Sequence, residues 1–341
     1  MVSRPTIKDL AMQAGVSVAT VDRVLNQRLP VREHTAVRVV EAAEAIGYHA
    51  TGLLKRRLAE SPRRRFGFLL QKRDAFYLAL GKALGDATKA AQAIQGKPFV
   101  EYIDQLVPSI IAARIQEMAP QIDALAVVAV DHPLVSEAVE AVIAAGKPVF
   151  TLLSDVSTPQ KTGHIGLDGR RLGRIAAWTI SRTASGPGKI GIMVGSHRYL
   201  NQELAEISFR SYMREHASKF TILEPIINLD DEHIAYESVT NLVKCNPDLV
   251  AIYGCGGGQD GLIRALRDEN ASQRIVAVCN ELTSTTRAAL IDGTIDLVLA
   301  HPIQQLATKT VELMIKTCVT AELPNLPPTL FAADIFMSEN I

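Results

Sequence analysis

The sequence predicts an all-α head followed by an α/β core of two doubly wound parallel-sheet lobes. Three observations carry that prediction. Within the first 50 residues, apolar side chains recur at helical spacing on both sides of a glycine. From Phe66 onward, strand-like apolar runs alternate with helical segments. Those alternations come in two sets, in a chain of 341 residues that is long enough after the head for two lobes with separate cores.

The head begins at Thr6 to Asn26, TIKDLAMQAGVSVATVDRVLN. Thr6 can cap a first helix, with Asp9 as the reciprocal partner of a capping box and a favourable charge in the first turn. Ile7, Leu10, Ala11 and Ala14 fall on one face. Gly15 supplies the backbone angles of a tight turn, Val16 fills the crevice, and Ser17 caps a second helix with Val21, Val24 and Leu25 inward. Val31 to Tyr48 reads as a third helix with Val39, Ala42, Ala43 and Ile46 inward, stopped by Gly47. Three helices make the smallest core such a unit can have, which argues against an incidental helical hairpin.

This arrangement predicts a helix-turn-helix whose second helix lies in the major groove of DNA. Val18, Ala19, Asp22 and Arg23 are left on its outer face. Arg23 is the natural guanine reader, since a bidentate guanidinium contributes roughly 1–3 kcal/mol of base discrimination. Asp22 has two readings: it accepts from a cytosine amino group, or it pairs with Arg23, the pair being favoured. Charge agrees. The whole chain balances 36 basic against 36 acidic residues, but residues 1–65 hold twelve basic and six acidic ones, so a head of +6 sits on a remainder of −6.

No apolar run is long enough to span a bilayer, and no secretory leader is visible, so a cytoplasmic protein, nucleoid-associated when DNA-bound, is expected. Cys245, Cys255, Cys279 and Cys318 lack metal-type spacing and read as small buried residues; no metal or cofactor is expected.

In the core, strands are expected at 65–70, 97–103, 124–130 and 148–153, then at 189–194, 221–227, 249–254 and 275–279. Ligands of such sheets gather beyond the carboxyl ends of the strands. Those ends offer Asp74, Phe76, Tyr77, Asp131, His132, Ser154, Asp155, Asp168, His197, Gln259, Asn280, Glu281 and His301. Aromatic faces with carboxylates and amides suit a sugar ring. Taken singly, each polar residue is as suited to capping a loop or helix as to contacting a ligand. The run from Gly254 to Gln259 fits neither GxGxxG nor GxxxxGK[ST] and reads as a tight turn lining a cleft. With no GxSxG and scattered histidines, no enzyme is expected.

The order TIKDLAxxAGVSxxTVxRVLN, a helix ending IGY and a basic stretch resemble the lactose-repressor (LacI/GalR) family of bacterial transcription regulators. The tandem doubly wound halves resemble the type I periplasmic-binding-protein fold of that family's effector core. The resemblance implies a homodimer reading a near-palindromic operator, acting as a repressor under control of a sugar, polyol or sugar acid. By position it assigns Thr6, Ser17 and Thr20 to phosphates, Val18, Ala19 and Arg23 to bases, with Asp22 and Asn26 on the same helix. It implies a hinge helix entering the minor groove, but Ala50 and Arg57 stand where the family has a proline and a wedging leucine, leaving Leu58, or Leu54 with Leu58, to wedge. Asp155 and Asp168 match polar positions of sugar-binding relatives, and Asn280-Glu281 falls where relatives place an aspartate. Ala205 replaces a family arginine, and His301 a glutamine.

The boundaries are then 1–48 for the DNA-binding head, 49–62 for the hinge and linker, and 63–341 for the core. Three crossings near Thr162, Thr294 and Pro324 divide the core into lobe 1, about 63–161 and 295–323, and lobe 2, about 162–294 and 324–341. The alternative is a solute-binding or carbohydrate-processing protein with an incidental head; the basic head and lack of a leader weigh against it.

Overall fold

Thr6 caps the first helix, α1 (Ile7–Ala14), as its position predicts. Its hydroxyl accepts the Asp9 amide while its own N–H donates to the Asp9 carboxylate at 2.8 Å, which lowers the Asp9 pKa. Gly15 turns the chain at φ 63°, a conformation that a side chain would strain. Helix α2 (Val18–Asn26) follows, with the Ser17 hydroxyl accepting from the Thr20 amide at 3.1 Å, and then α3 (Glu33–Ala45). Leu10, Val21, Val39 and Ala43 are fully buried between the three helices, with Tyr48 closing one side. The computed structural model describes residues 5–26, 31, 33–52, 61–71, 74–318 and 324–341. Leu54, Arg57 and Leu58 lie outside these, as does most of the expected hinge.

The core holds two sheets. In lobe 1 the strands are β1 (Arg63–Gln71), β2 (Gln95–Ile103), β3 (Ala124–Val127), β4 (Val149–Leu152) and β5 (Gly163–Leu167), all parallel. Lobe 2 has β6 (Lys189–Val194), β7 (Thr221–Ile222), β8 (Ile226–Ile227), β9 (Leu249–Gly254), β10 (Val276–Asn280) and β11 (Leu297–Ala300). β12 (Thr329–Phe331) then joins the first sheet beside β5, and β13 (Asp334–Phe336) pairs antiparallel with β11. The orders are β12-β5-β4-β3-β1-β2 and β13-β11-β10-β9-β6-β7. Each reverses direction between its first two central strands, β1 with β3 and β6 with β9, and that switch point opens a crevice at the strands' carboxyl ends.

Helices cover both faces of each sheet: α4 (Ala75–Ala90), α5 (Pro108–Met118) and α6 (Pro133–Ala144) in lobe 1, and α7 (Gly169–Thr183), α8 (Leu200–His216), α9 (Glu232–Cys245), α10 (Gln259–Asp268) and α11 (Ser284–Ile291) in lobe 2. Helix α12 (Ile303–Cys318) returns to pack on α4 in lobe 1. Near-continuous apolar strands such as Phe66, Phe68, Leu69 and Leu70 in β1 are buried on both sides, as a helix-covered parallel sheet requires.

The crossings fall later than the sequence suggests. β5 belongs to lobe 1, so the first crossing is at Asp168 rather than Thr162; β11 belongs to lobe 2, so the second is at His301 rather than Thr294. The third separates β12 from β13, well after Pro324. Each displaced boundary follows from one short strand whose sheet is decided by pairing with a distant partner, not by its own composition. The expected strand at 221–227 is two short pieces on different parts of β6. Cys245 is exposed and Cys318 half-buried, against the expectation for all four cysteines; Cys255 and Cys279 are buried, which pushes the Cys279 thiol up to about 12.

Candidate DNA-reading face and inter-lobe cleft

On the head, α2 presents Ser17, Val18, Ala19, Arg23 and Asn26 to solvent, with Thr20 and Asp22 half-buried beside them. Thr6 is exposed at the start of α1. Asp22 does not take the expected Arg23 as its partner: it accepts from Asn26 Nδ2, one turn on, at 2.6 Å. Residues four apart on a helix face each other and adjacent ones do not, which decides the partner. Arg38, one of the head's twelve basic residues, is more than a surface charge. Its guanidinium donates to the carbonyls of Ala14 at 2.6 Å and Gly15 at 3.1 Å, tying α3 to the turn between α1 and α2.

Between the lobes lies a cavity of about 600 Å³, within the usual range for a small-molecule site. Of the residues expected there, Asp74, Phe76, Tyr77, Ser154, Gln259, Asn280, Glu281 and His301 line it. Phe76 and Tyr77 meet edge to face at 5.1 Å in the first turn of α4, whose N-terminus Asp74 caps through the Tyr77 amide at 2.9 Å. His301 stands at the second crossing, its ring 5.9 Å from that of Phe76. Its Nδ1 is 2.6 Å from Glu281 Oε1, and its backbone N–H donates to the other oxygen at 3.1 Å, so Glu281 fixes the ring orientation.

Five other expected residues are not in the lining; their polar groups serve the scaffold. Asp131 accepts from the Ser157 amide and hydroxyl at 2.7 and 2.6 Å. His132 caps α6 through the Leu134 amide, and Asp168 caps α7 through the Arg170 and Arg171 amides. Asp155 turns toward Thr151 and Lys161, beside buried His164, and His197 meets the buried Glu206 carboxylate at 2.8 Å. A strand-end Asp or His next to exposed helix amides binds those amides first.

The cleft recruits residues that the sequence reading passed over: Gln71, Asp104, Tyr199, Asn201, Gln202 and Asp230. Gln71 had a visible signal, a polar residue closing the apolar run Phe66–Leu70 of β1. Asp230 follows Leu229 in a left-handed turn, both at φ 54°, locked when Asp230 Oδ1 accepts the Gly257 amide at 2.6 Å and Asn228 donates to the Gly257 carbonyl at 2.7 Å. A Cβ at Gly257 would press on Asp230, and one at Gly258 (φ +81°) would overlap Asn228. The glycine run is therefore spaced for this loop contact. Leu153 (φ 63°) and Glu281 (φ 65°) are likewise left-handed, so among the described residues four of the five non-glycine residues with positive φ line the cavity. Such strain persists only where surrounding structure enforces it, and it collects at ligand sites.

Among the described residues, five side-chain atoms on residues of this lining are buried without a protein partner: Gln71 Nε2, Ser154 Oγ, Gln259 Oε1, Asn280 Oδ1 and His301 Nε2. One is a donor, two are acceptors and two can be either. Buried polar atoms normally have partners, so a group of unpartnered ones around one cavity is unusual for a protein interior.

The chain thus joins a three-helix head with an exposed second helix to a two-lobed core around a cleft of mixed apolar and polar lining. Comparison with known proteins agrees for both parts. Residues 66–319 match the periplasmic binding protein domain, and residues 6–51 match the bacterial regulatory proteins of the lacI family. The chain belongs to the LacI/GalR family. It is 39% identical over 80 residues to the HTH-type transcriptional regulator GalR of Salmonella typhimurium, a match covering 23% of each chain. The match thus spans about a quarter of that relative's length. Among solved structures, an ABC transporter solute-binding protein from Agrobacterium vitis, bound with α-D-tagatopyranose, has a TM-score of 0.74 at 19% identity, covering 82% of this chain and 96% of that one. A structure described as that of a LacI transcriptional regulator from Bacteroides fragilis has a TM-score of 0.71 at 17% identity, over 82% and 98%. These two show the fold of the core.

Proposed function

We propose that the protein is a sequence-specific DNA-binding transcriptional repressor that reads a near-palindromic operator as a homodimer and is controlled by a sugar or polyol held between its lobes. The observation that carries this reading is the set of unpartnered polar atoms around the inter-lobe cavity, on the same chain as an exposed recognition helix. Arg23 reads a guanine, Val18 and Ala19 contact neighbouring base edges, and Thr6, Ser17 and Thr20 hold phosphates. In the cleft, Phe76 and Tyr77 cover the C–H face of a ring, while Ser154, Gln71, Gln259 and His301 bind its hydroxyls. The ligand touches both lobes, so it favours their approach, and a change in lobe position alters the spacing of the two heads on DNA. That coupling is reciprocal: a ligand that loosens DNA binds less tightly to the DNA-bound form.

Two binding experiments test this. Selection from random duplexes should enrich an inverted repeat, and calorimetry with a panel of neutral sugars, polyols and sugar acids should find a ligand whose affinity falls in Ser154→Leu. Enrichment of no motif, or a ligand indifferent to Ser154→Leu, contradicts the respective half of the proposal.

A further inference from the structure

We propose that Tyr199 is a positioning residue for effector recognition: reaching from lobe 2 into lobe 1, it orients the Gln71 amide so that Nε2 donates into the cleft while the lobes are together. This rests on the effector reading of the cleft and deepens it.

Tyr199 immediately precedes α8 of lobe 2, yet it is only 3% exposed and its ring packs in the lobe 1 core with Leu69, Val127 and Val130. Its hydroxyl donates to Gln71 Oε1 at 2.5 Å. Burial raises the phenol well above its ordinary pKa, so the hydroxyl stays protonated as a donor. The preceding residue is held to the same lobe, since the Asp131 amide donates to the Arg198 carbonyl at 2.8 Å. Gln71, at the end of β1, is 2% exposed.

A primary amide is planar, with its acceptor and donor ends at a fixed angle. Once Oε1 is taken by Tyr199, the direction of Nε2 is set, and that NH₂, on a residue of the cavity lining, is buried with no protein acceptor. Among the lining residues of lobe 2, Gln259 contributes the opposite polarity, its Oε1 being unpartnered. A hydroxyl donates and accepts, so a neutral polyol satisfies both ends. A carboxylate or phosphate oxygen satisfies Gln71 and is repelled at Gln259. If the lobes part, Tyr199 leaves, the Gln71 side chain loses its orienting bond, and the lobe 1 half-site loses its fixed donor. Gln71 thus sets polarity and Tyr199 makes that setting depend on closure.

Two variants separate the roles. Tyr199→Phe keeps the ring in its apolar seat and removes the bond; Gln71→Glu keeps an acceptor for Tyr199 and removes the donor. The first readout needs no ligand: the distance between spin labels on exposed sites of the two lobes, measured in the full-length protein. Tyr199→Phe should lengthen or broaden that distance, and Gln71→Glu should leave it as in wild type. The second is calorimetric affinity for whichever of D-tagatose, D-glucose and D-galactose binds the wild type. Both variants should weaken it about fivefold to tenfold, the loss typical of one hydrogen bond. A wild-type lobe distance in Tyr199→Phe overturns the proposal, and so does undiminished sugar affinity in Gln71→Glu. Failure of all three sugars to bind wild type counts instead against the sugar reading, and the ligand-free distance then decides the role of Tyr199 alone.

Discussion

Replacing Arg38 by methionine should destabilise the head without changing which base pairs it reads. The guanidinium donates to the Ala14 and Gly15 carbonyls, and methionine keeps the apolar stem while removing both bonds. A hydrogen bond from a charged group contributes about 1.5–3 kcal/mol when shielded. Arg38 is exposed, so water replaces part of what is lost, leaving about 1–2 kcal/mol for the pair. The head's core is small, centred on Leu10, Val21, Val39 and Ala43, and a domain of that size has little stability in reserve. At about 4–8 °C per kcal/mol for a small domain, its melting point should fall by roughly 5–15 °C. Hydrogen exchange across α1 to α3 in the full-length protein measures this directly: protection should drop about fivefold to thirtyfold while β1 to β5 are unchanged. Unaltered protection in the head, or altered base preference with protection intact, would refute the bracing role.

Other outcomes follow from the same structure. Arg23→Ala should do the reverse of Arg38→Met, flattening discrimination at one base pair of each half-site by roughly 1–3 kcal/mol with head exchange unchanged, as binding to single-substituted duplexes would show. Phe76→Ala should weaken sugar affinity while Asp155→Asn, whose carboxylate lies off the cleft, should leave it alone; calorimetry on both checks the division between lining and scaffold. Burial holds the His164 pKa below its usual value, so on acidification the unfolded chain takes up a proton there before the folded one does. That contribution to stability is complete above about pH 6.5 and declines as pH falls below it, so the urea midpoint of wild type should drop more steeply from pH 7 to pH 5 than that of His164→Gln. Gly173→Ala places a Cβ against the Ala205 carbonyl and should force α7 from α8, lowering the melting point of lobe 2 in a thermal scan.

The head was the most legible part of the sequence because its determinants are local. Thr6 with Asp9, the left-handed Gly15 and the Ser17 cap each act within four residues, and each takes its expected place. Arg38 escaped notice because its partners are more than twenty residues away, and Asp22 was given the wrong neighbour because sequence adjacency is not adjacency on a helix. In the core, apolar runs announced most strands, whereas Gly163–Leu167 and Leu297–Ala300 are too short for their pattern to say which sheet they complete.

The cleft was half legible for a related reason. Ser154 and His301 sit within two residues of strand ends and Phe76 in the helix turn that follows one, where position alone points inward. Asp131, His132 and Asp168 occupy equivalent places but their side chains bond nearby backbone amides, a choice that depends on how each strand hands over to its helix. Gln71 and Tyr199 are 128 positions apart and become a pair only when the lobes meet.

The central claim is that occupancy of the cleft changes affinity for DNA, and the most direct measurement is operator affinity at one fixed salt concentration with and without the cleft ligand. The account predicts a shift of about 5–150-fold in wild type, the usual range of allosteric coupling, and no shift in Ser154→Leu with its ligand-free DNA affinity preserved. A ligand that binds the cleft by calorimetry yet leaves wild-type operator affinity unchanged would contradict it.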